Sequence, residues 1–402
     1  MQQNRQAIKP WYKDSALWSI PQDWEVLKIK DFANVITWNT PDTSDLSNYW
    51  DTYLFVWPWD LSDTKYIDTS AKKLSNIWFL KSRKMPKGSV LFTSIGSSIG
   101  KTWIAKFDLT ANQQINTLLP NSKYSSDFIY YELGNLSGKI KMLAWEQAVP
   151  IINKSDFENI KLIFPPLPEQ TAIATILSTT DTAIQQTQEI IKKLELRNKW
   201  LGQKLLNNKK WEYLPLNSFA KEISKKNKND EDLTVLSCTK HNWLVPSLEY
   251  FGKRIFSNDL TTYKTVPLKC FAYATNHIEE WSIWYQDKYE NSLISPMYTV
   301  FQTDEKINDY FLFKLLKSHK YIHEYQKRME GSIDRRWGLR REEFAKIKVP
   351  VPSLEEQEKV MLVLDKATQQ LNQHKKKLAK LQTLKKWLMQ QLLTGKVRIK
   401  AK

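Results

Sequence analysis

The sequence predicts an α+β protein of two tandem-duplicated mixed α/β domains, each followed by a long helix, with the two helices forming an antiparallel coiled coil. Three observations predict this architecture. The chain of 402 residues matches itself at one constant offset, two segments repeat apolar residues every seven positions, and the remaining parts alternate short strand-like runs with turns. The length also exceeds that of one ordinary domain and fits two or three.

The internal repeat reaches both ends of each half. Near the start, the aligned positions are Trp24 with Trp211, Phe32 with Phe219 and Ile36 with Ile223. Later matches at the same offset are residues 157–161 with 344–348, 165–170 with 352–357 and 199–203 with 386–390. Residues 127–133 resemble 309–315 at a slightly smaller offset, so the interiors have diverged. A similar frame with a different middle indicates two copies of one scaffold that recognise different things.

Each half continues through a proline-rich elbow into a predicted helix of about 35 to 40 residues, roughly 55 to 60 Å long at 1.5 Å per residue. Prolines disfavour helix just upstream, and Glu169 places an acid in the first turn. The predicted seam residues are Leu177, Ile184, Ile191, Leu194 and Leu201, then Leu364, Leu371, Leu378, Leu381 and Leu388. Sustained seven-residue spacing is typical of a coiled coil, and a chain that returns through a globular domain would lay the helices antiparallel. The alternative is that each stripe docks on its own globular half.

The elbows and helices divide the sequence into four segments. The globular parts are residues 1–165 and 211–352, and the helical parts are residues 166–210 and 353–402. Strand-like runs at 89–93 and 270–275 follow proline-containing turns, and helix-like runs at 128–136 and 310–316 come later in each globular part. Both globular parts are therefore predicted to mix strands and helices.

Composition excludes several classes of protein. No stretch approaches the roughly 18 apolar residues of a membrane span, and the first residues lack the apolar region of a secretory signal. The two cysteines, Cys238 and Cys270, cannot form a disulfide framework or a four-ligand zinc site by themselves. A formal net charge of +17 suits a polyanionic partner. We expect a cytoplasmic, basic, multi-domain protein that does not contact membranes.

Catalytic patterns are weak. The turn at 96–102 has three residues between its glycines where a nucleotide-binding P-loop needs four. Asp42, Asp63 and Lys65 have the outline of a Mg²⁺-dependent nuclease site, without a counterpart in the second half. His319 and His323 are one helical turn apart but lack a third zinc ligand. The motifs of a base methyltransferase are missing from the sequence. The chain is predicted to be non-catalytic, with a self-sufficient metal-dependent nuclease as the alternative.

Basic clusters are the positive signal for function, because lysine and arginine contact DNA phosphates. In the first half, the candidate DNA-binding residues are Lys81, Arg83 and Lys84, followed by Gly96, Ser97, Ser98 and Lys101 on the glycine-rich turn. In the second half they are Lys225, Lys226, Asn276, His277, Arg335 and Arg336. The last acid of the chain is Asp365, after which eleven lysines or arginines follow, so the final helix would lie near DNA or dock on an acidic partner.

The arrangement resembles the specificity subunit of bacterial type I restriction–modification systems. The residues that carry the resemblance are 20–24, 88–92, 95–101 and 165–170 in the first copy, then 344–357 and 392–396 in the second. The second copy departs from the pattern at residues 275–277, which stand where the glycine-rich turn would be.

The resemblance implies a division of labour. Each globular part would be a target recognition domain that reads one half of a split DNA target, while the helices set the spacing. Two modification (methyltransferase) subunits would dock on the helices, and restriction subunits would complete the nuclease. No cofactor is expected in this chain, whereas S-adenosylmethionine, ATP and Mg²⁺ are expected on the partner subunits.

Overall fold

The computed structural model describes residues 11–37, 46–61, 64–144, 150–239, 243–331 and 337–399. The chain packs into two compact units, Met1–Gln188 with Lys376–Lys402, and Glu189–Lys375. Glu189 and Lys376, where the two later segments begin, are displaced from one another by the same offset as Trp24 and Trp211, so the units follow the sequence repeat. The boundary crosses each long helix near its middle, whereas the four segments read from the sequence follow the ends of the helices.

The first unit mixes short strands with helices, as the sequence predicts. Its strands are β1 (Tyr12–Lys13), β2 (Ile20–Pro21), β3 (Glu25–Lys28), β4 (Ala33–Ile36), β5 (Tyr49–Val56), β6 (Tyr66–Ile67), β7 (Lys72–Leu74), β8 (Val90–Thr93), β9 (Thr102–Ala105), β10 (Thr110–Ala111), β11 (Ile115–Pro120) and β12 (Lys161–Phe164). The helices are α1 (Ile29–Phe32), α2 (Asn76–Lys81), α3 (Ser126–Ala144), α4 (Lys154–Glu158) and the long α5 (Leu167–Leu205), which begins in this unit.

The main sheet of the first unit has the strand order β4-β11-β8-β9-β6. Strands β8 and β9 are wholly buried because both faces of the sheet are covered. On one face, Phe128, Leu133 and Ile140 of α3 share a core with β8, and on the other face Leu91 and Trp103 belong to a second core. A second sheet, β10-β5-β7, packs its own core around Phe55, Met85 and other apolar side chains. Burial of these apolar residues is the main stabilising contribution, at about 25 cal/mol per Å² removed from water.

The second unit has the same kinds of element. Its strands are β13 (Tyr213–Pro215), β14 (Ala220–Glu222), β15 (Leu236–Thr239), β16 (Trp243–Pro246), β17 (Lys264–Pro267), β18 (Cys270–Ala274), β19 (Ile283–Gln286), β20 (Asn291–Ile294), β21 (Tyr298–Thr303), β22 (Glu330–Gly331), β23 (Trp337–Gly338) and β24 (Lys348–Pro350). The helices are α6 (Ser247–Phe251), α7 (Asp309–Leu316), α8 (His319–Arg328), α9 (Arg341–Ala345) and the long α10 (Leu354–Leu392), which ends in the first unit.

A common frame underlies both units. The main sheet of the second unit has the order β14-β21-β18-β19, which matches β4-β11-β8-β9 of the first. Leu27 pairs with Leu162 between β3 and β12, and Leu214 pairs with Val349 between β13 and β24, so both partners are displaced by the repeat offset. The first unit differs by adding β6, parallel to β9, at the sheet edge. The duplication inferred from sequence is therefore also a duplication of strand register.

The two long helices have 39 residues each and pair antiparallel within each unit, which confirms the predicted fold class. In the second unit, Glu195 of α5 pairs with Lys375 of α10, and Asn198 of α5 donates to the carbonyl of Ala367 of α10. Residue numbers rise along one helix as they fall along the other, so the helices are antiparallel. At its N-terminal end, each long helix also packs on the globular part that precedes it, as the alternative interpretation expects. Ile173 and Leu177 join the core of the first unit, and Val360 and Leu364 join that of the second.

The last residue of α10, Leu392, and the residue after it, Leu393, also enter the core of the first unit. The chain then turns at Gly395, whose φ of 71° favours glycine. A side chain there would lie 2.6 Å from Pro21, so this position needs glycine for space as well. Within the described part of the chain, none of the helices combines the length and apolar character needed to cross a bilayer.

Candidate nucleic-acid interface

A buried glutamine holds each globular part onto the long helix that follows it. The side-chain carbonyl of Gln170 accepts a hydrogen bond from the N–H of Ser125 at 2.9 Å, and its amide donates to the Pro165 carbonyl at 2.9 Å. The equivalent bonds of Gln357 run from the N–H of Asn308 at 2.6 Å and to the carbonyl of Pro352 at 2.8 Å. Because buried polar groups need hydrogen-bond partners, each glutamine fixes the position of its globular part on the helix. In this way the repeated elbow orients α3 on α5 and α7 on α10.

Lys65 is buried and connects α3 to α5 within the first unit. Its ammonium lies 2.5 Å from the Asp127 carboxylate and donates to the Ser178 hydroxyl at 2.7 Å. Only 8% of its side chain is exposed, and the Tyr131 ring lies 4.8 Å away. The Tyr66 hydroxyl also donates to Asp127, and burial together with this carboxylate raises the pKa of Tyr66 to about 12. Lys65 is thus occupied structurally.

The C-terminal tail is clasped to the start of the chain by Arg398. Its guanidinium donates to both oxygens of Asp23, at 2.8 and 2.7 Å, and to Glu169 at 2.8 to 3.2 Å. Glu169 also accepts from the Trp24 indole and the Ile399 N–H. This pairing holds the pKa of Asp23 below its usual value, chiefly through the Arg398 hydrogen bonds. No periodic pattern in the sequence signals this contact, because its partners are far apart along the chain.

The predicted glycine-rich turn joins β8 to β9, so a strand follows it where a P-loop requires a helix. Gly96 and Gly100 have φ values of 77° and 89°, in the region that favours glycine. A side chain at Gly100 would also meet Ser137 and Lys141 of α3 at 3.2 to 3.3 Å. The glycines therefore allow the turn to approach α3 closely.

The amide groups of this turn are largely engaged within the protein. The N–H of Gly96 donates to the Pro150 carbonyl, and the N–H of Gly100 donates to the Thr93 carbonyl. The N–H of Lys101 donates to the Thr93 hydroxyl at 3.2 Å. A DNA phosphate would consequently be met by side chains rather than by a cradle of amides. Gly96, Ser97, Ser98 and Lys101 all remain wholly or partly exposed, and the last three have side chains that can donate a hydrogen bond to a phosphate.

The first basic cluster lies at the end of α2 and just beyond it. Lys81, Arg83 and Lys84 are all exposed, so their charged groups are accessible. Arg83 donates to the Thr37 carbonyl at 3.1 Å, and the Lys84 ammonium lies 5.6 Å from the Phe79 ring. These contacts leave further donors on each side chain for phosphate oxygens.

In the second unit, the connection between β18 and β19 occupies the place of the glycine-rich turn. It carries Asn276 and the exposed His277. The Leu339 N–H donates to the Thr275 carbonyl, and the space at Gly338 is limited by Asn276, whose amide oxygen would be 3.1 Å from an added side chain. The turn therefore adjoins the chain that follows Arg335 and Arg336, two candidates that lie outside the described residues.

Lys225 and Lys226 line an open cleft with a volume of about 590 Å³, which Lys228 also lines. All three lysines are exposed, whereas Asn227 between them is buried. The Asn227 side chain exchanges two hydrogen bonds of 3.0 Å with the backbone of Glu231. A backbone held by hydrogen bonds that carries exposed cationic side chains is suited to binding an extended polyanion.

The predicted seam residues are buried to different extents. Leu177, Ile191, Leu194 and Leu364 are buried, and the partly exposed ones are Ile184, Leu201, Leu371, Leu378, Leu381 and Leu388. Sequence reasoning missed polar residues that share the alternating spacing of three and four: Thr180, Thr187, Asn198, His374 and Lys385. Thr180 and Thr187 are buried, and Lys385 pairs with Asp181 at 2.6 Å. Their position in the seven-residue repeat is the signal in the sequence that identifies them, once polar residues are included in the pattern.

Metal-binding candidates are few among the described residues. His277, Glu279 and Glu280 have potential ligand atoms within 4.8 Å of one another, but such exposed acidic groups commonly occur without a metal. His319 is not in this group and packs edge-on against Trp281, with ring centroids 5.5 Å apart. Asp42 and Asp63, the acids of the nuclease alternative, lie outside the described residues.

Comparison with known proteins gives a consistent result. The family model described as the type I restriction modification DNA specificity domain matches residues 21–196 and again 208–383. These two copies are displaced by the same offset as the internal repeat of the sequence. Their combined length covers most of the chain.

Individual relatives agree with this match. The MjaIX specificity subunit of a type I restriction enzyme from Methanocaldococcus jannaschii is 31% identical over 47% of this chain and 46% of its own length, so that match spans about half of each protein. The MjaVIII specificity subunit from the same organism is 25% identical over 95% of this chain and 94% of its own. The solved S subunit from M. genitalium has a similar fold, with a TM-score of 0.54 and 17% identity, over 92% of this chain and 96% of that one.

Proposed function

Because the chain belongs to the family of type I restriction–modification DNA specificity proteins, we propose that it selects the DNA target of such a system, each globular part reading one half of a split sequence. The chain is the recognition component and not a catalytic one. Base edges in the major groove supply the choice of sequence, while lysine and arginine contacts to phosphates supply affinity.

One observation carries this proposal: the two units share a frame but differ at the same turn. The connection from β8 to β9 carries Ser97 and Lys101, whereas the topologically equivalent connection from β18 to β19 carries Asn276 and His277. Side chains with different hydrogen-bonding groups recognise different base pairs. A duplicated scaffold with two different turns is therefore suited to a target of two unlike halves.

Phosphate contacts come from the basic clusters at fixed places in each unit. Lys81, Arg83 and Lys84 serve the first unit, and Lys225 and Lys226 serve the second. Arg335 and Arg336 are assigned to the same role from the sequence alone. The turn of the first unit contributes Ser97, Ser98 and Lys101 through their side chains, since the amides of Gly96, Gly100 and Lys101 donate within the fold.

The paired helices connect recognition to the rest of the complex. Their length of 39 residues, about 58 Å at 1.5 Å per residue, sets the spacing between the half-sites. Two modification subunits dock on the helices and restriction subunits complete the assembly, in the cytoplasm. S-adenosylmethionine, ATP and Mg²⁺ would bind to those partner subunits, and the role proposed for this chain, recognition of DNA, needs no cofactor of its own.

The alternative of a self-sufficient nuclease has little support. Lys65, its proposed cation, is buried against Asp127 and Ser178, so it is not available to a scissile phosphate. Purified chain incubated with plasmid and Mg²⁺ separates the two functions. The recognition function predicts intact plasmid, and cutting by the isolated chain would contradict it.

Salt dependence tests the recognition function directly. The logarithm of the affinity for duplex DNA should fall linearly with the logarithm of salt concentration, with a slope of about 0.9 per phosphate contact. The double variant Lys81→Ala with Arg83→Ala should lower the slope by roughly 2 and weaken binding to all sequences alike. Lys359→Ala, which removes an exposed lysine paired with Glu355 outside the clusters, is the control. An affinity that does not change with salt would refute the phosphate contacts, and a loss confined to one half-site would make these residues base readers.

A further inference from the structure

One pair of stacked aromatic rings in the first unit lies at the surface instead of in a core. Trp57 and Trp59 stack with ring centroids 4.4 Å apart and an interplanar angle of 19°, and Trp59 is 63% exposed. In other stacked pairs at least one ring is buried, as in Tyr53–Phe79, Phe92–Phe157, Phe271–Phe301 and Tyr273–Phe344. Core packing accounts for those pairs, but it does not account for the indole of Trp59.

The turn that carries the two indoles is held in place by the fold. Phe55 of β5 is buried, and its ring meets the ring of Trp57 edge-on, with centroids 5.7 Å apart. The carboxylate of Asp60 accepts hydrogen bonds from two backbone N–H groups, that of Trp57 at 2.8 Å and one from the chain before β7 at 2.9 Å. Pro58 begins the short helical turn between them and fixes its first φ. Trp59 is therefore a preorganised flat surface, with one face on Trp57 and the other accessible to a ligand.

The charged groups next to the stack favour an anion. The Lys72 ammonium lies 5.4 Å from the centroid of the Trp57 ring, and Lys73, the next residue of β7, is partly exposed. Asp60 is the one acid of residues 57–61, and both of its oxygens accept backbone N–H groups. Phosphates that flank a group stacked on the indole would therefore meet cations.

The basic cluster at the end of α2 belongs to the same small sheet as the indole pair. Phe79 of α2 stacks on Tyr53 of β5, with ring centroids 3.7 Å apart. This contact places Lys81, and the exposed Arg83 and Lys84 just after it, against β5, the strand that leads into the indole pair. Cations and an accessible aromatic face on one sheet are the combination that binds a nucleic-acid strand through both its backbone and its bases.

We propose that Trp59 stacks on an unpaired nucleobase of a DNA strand whose phosphates contact the neighbouring lysines. A base inside a duplex is covered on both faces by its neighbours, so it has no face to offer to an indole. The base that binds here has therefore left the double helix, either in a single strand or by extrusion from a duplex. This inference goes beyond the proposed function, because reading base edges in the major groove needs only paired DNA.

The test compares the affinity of the full chain for fluorescent DNA probes, measured by anisotropy: a single strand, the fully paired duplex of the same sequence, and that duplex with one bulged adenine. Trp59→Ala should weaken binding of the single strand by about 5- to 100-fold, the effect of losing one stacked base. Its affinity for the paired duplex should change by less than about twofold, because no base face is available there. Trp59→Phe, which keeps an aromatic face, should retain most of the affinity. Trp11→Ala, which removes an indole that is 83% exposed elsewhere in the first unit, should bind all the probes as wild type does.

Salt dependence and the choice of probe separate the possible outcomes. Trp59→Ala should keep the wild-type slope of affinity against salt, because it removes a stack and not a charge. A loss on the single strand or on the bulged duplex supports the inference, and which of the two is affected identifies the source of the base. An unchanged affinity for both, or an equal loss on the paired duplex, would overturn the inference while leaving DNA recognition intact. Failure of wild type to bind the paired duplex would instead contradict the proposed function.

Discussion

Removing the Arg398 guanidinium should open the clasp between the C-terminal tail and the start of the chain. Arg398 spans Asp23 and Glu169, and only 5% of the Glu169 side chain is exposed. Arg398→Ala therefore leaves a buried carboxylate without its cation. Trp24 and the Ile399 N–H remain as neutral donors to it.

The expected cost follows from this geometry. Breaking a buried ion pair by removing one partner costs about 3 to 5 kcal/mol. The two remaining donors and the partial exposure of Arg398 reduce this, whereas the half-exposed Asp23 adds little, so we expect about 2 to 3 kcal/mol. For a unit of about 200 residues, that corresponds to a decrease in melting temperature of roughly 5 to 10 °C.

Thermal unfolding at pH 7 measures the effect, and a second substitution identifies its cause. Because the loss arises from an unpaired buried charge, Arg398→Ala with Glu169→Gln should be more stable than Arg398→Ala alone. Glu356→Gln is the matched control, since Glu356 occupies the same repeat position but is exposed. An unchanged melting temperature in Arg398→Ala, or no recovery in the double variant, would refute the reasoning.

The pH dependence of this clasp has a defined sign. Arg398 lowers the pKa of Asp23 in the folded protein from its ordinary value of 3.8. The Asp23 carboxylate therefore makes its full contribution to the free energy of unfolding above pH 3.8. That contribution is lost as the pH falls through the lower pKa of the folded state. The difference between wild type and Arg398→Ala should therefore narrow below about pH 4.

Two further predictions concern the seam and a buried carboxyl. Ile191→Lys places an unpaired charge at a position that is only 8% exposed, so it should lower the free energy of unfolding, measured in urea, by about 2 to 4 kcal/mol. Ile190→Lys, at a position that is 40% exposed, should lower it little. Equal effects of the two substitutions would contradict packing of the helices at Ile191. Burial raises the pKa of Glu132 to about 8, so stability should decline as pH rises from about 4.5 to 8, and Glu132→Gln should remove that decline. A parallel pH profile in the variant would contradict this.

Much of the architecture was predictable because duplication and helical periodicity are written in the order of residues. The repeat offset recurs in the register of β3 with β12 and β13 with β24, and both helices have the expected length. The strands at Val90–Thr93 and Cys270–Ala274 and the helices α3 and α7 also lie where the sequence predicted them. Local signals of this kind need no knowledge of distant contacts.

Other features depend on contacts between distant residues, which the sequence order does not reveal. Lys65 resembled a catalytic cation by its neighbours in sequence, but its partners Asp127 and Ser178 come from α3 and α5. Thr187 and Asn198 were overlooked in the seam because only apolar residues were counted. The division of the chain through the middle of the helices likewise follows from the antiparallel return of α10.

The spacing of the half-sites is the most direct test of the central claim, that two recognition domains read one split target across paired helices. Seven residues inserted into both helices, after Gln188 and after Lys375, keep the apolar seam in phase and add roughly 10 Å at 1.5 Å per residue. Base pairs rise about 3.4 Å each. Methylome sequencing of a host that carries the locus should then give the same two half-site sequences with a gap about three base pairs longer. Methylation at the original spacing would contradict the account.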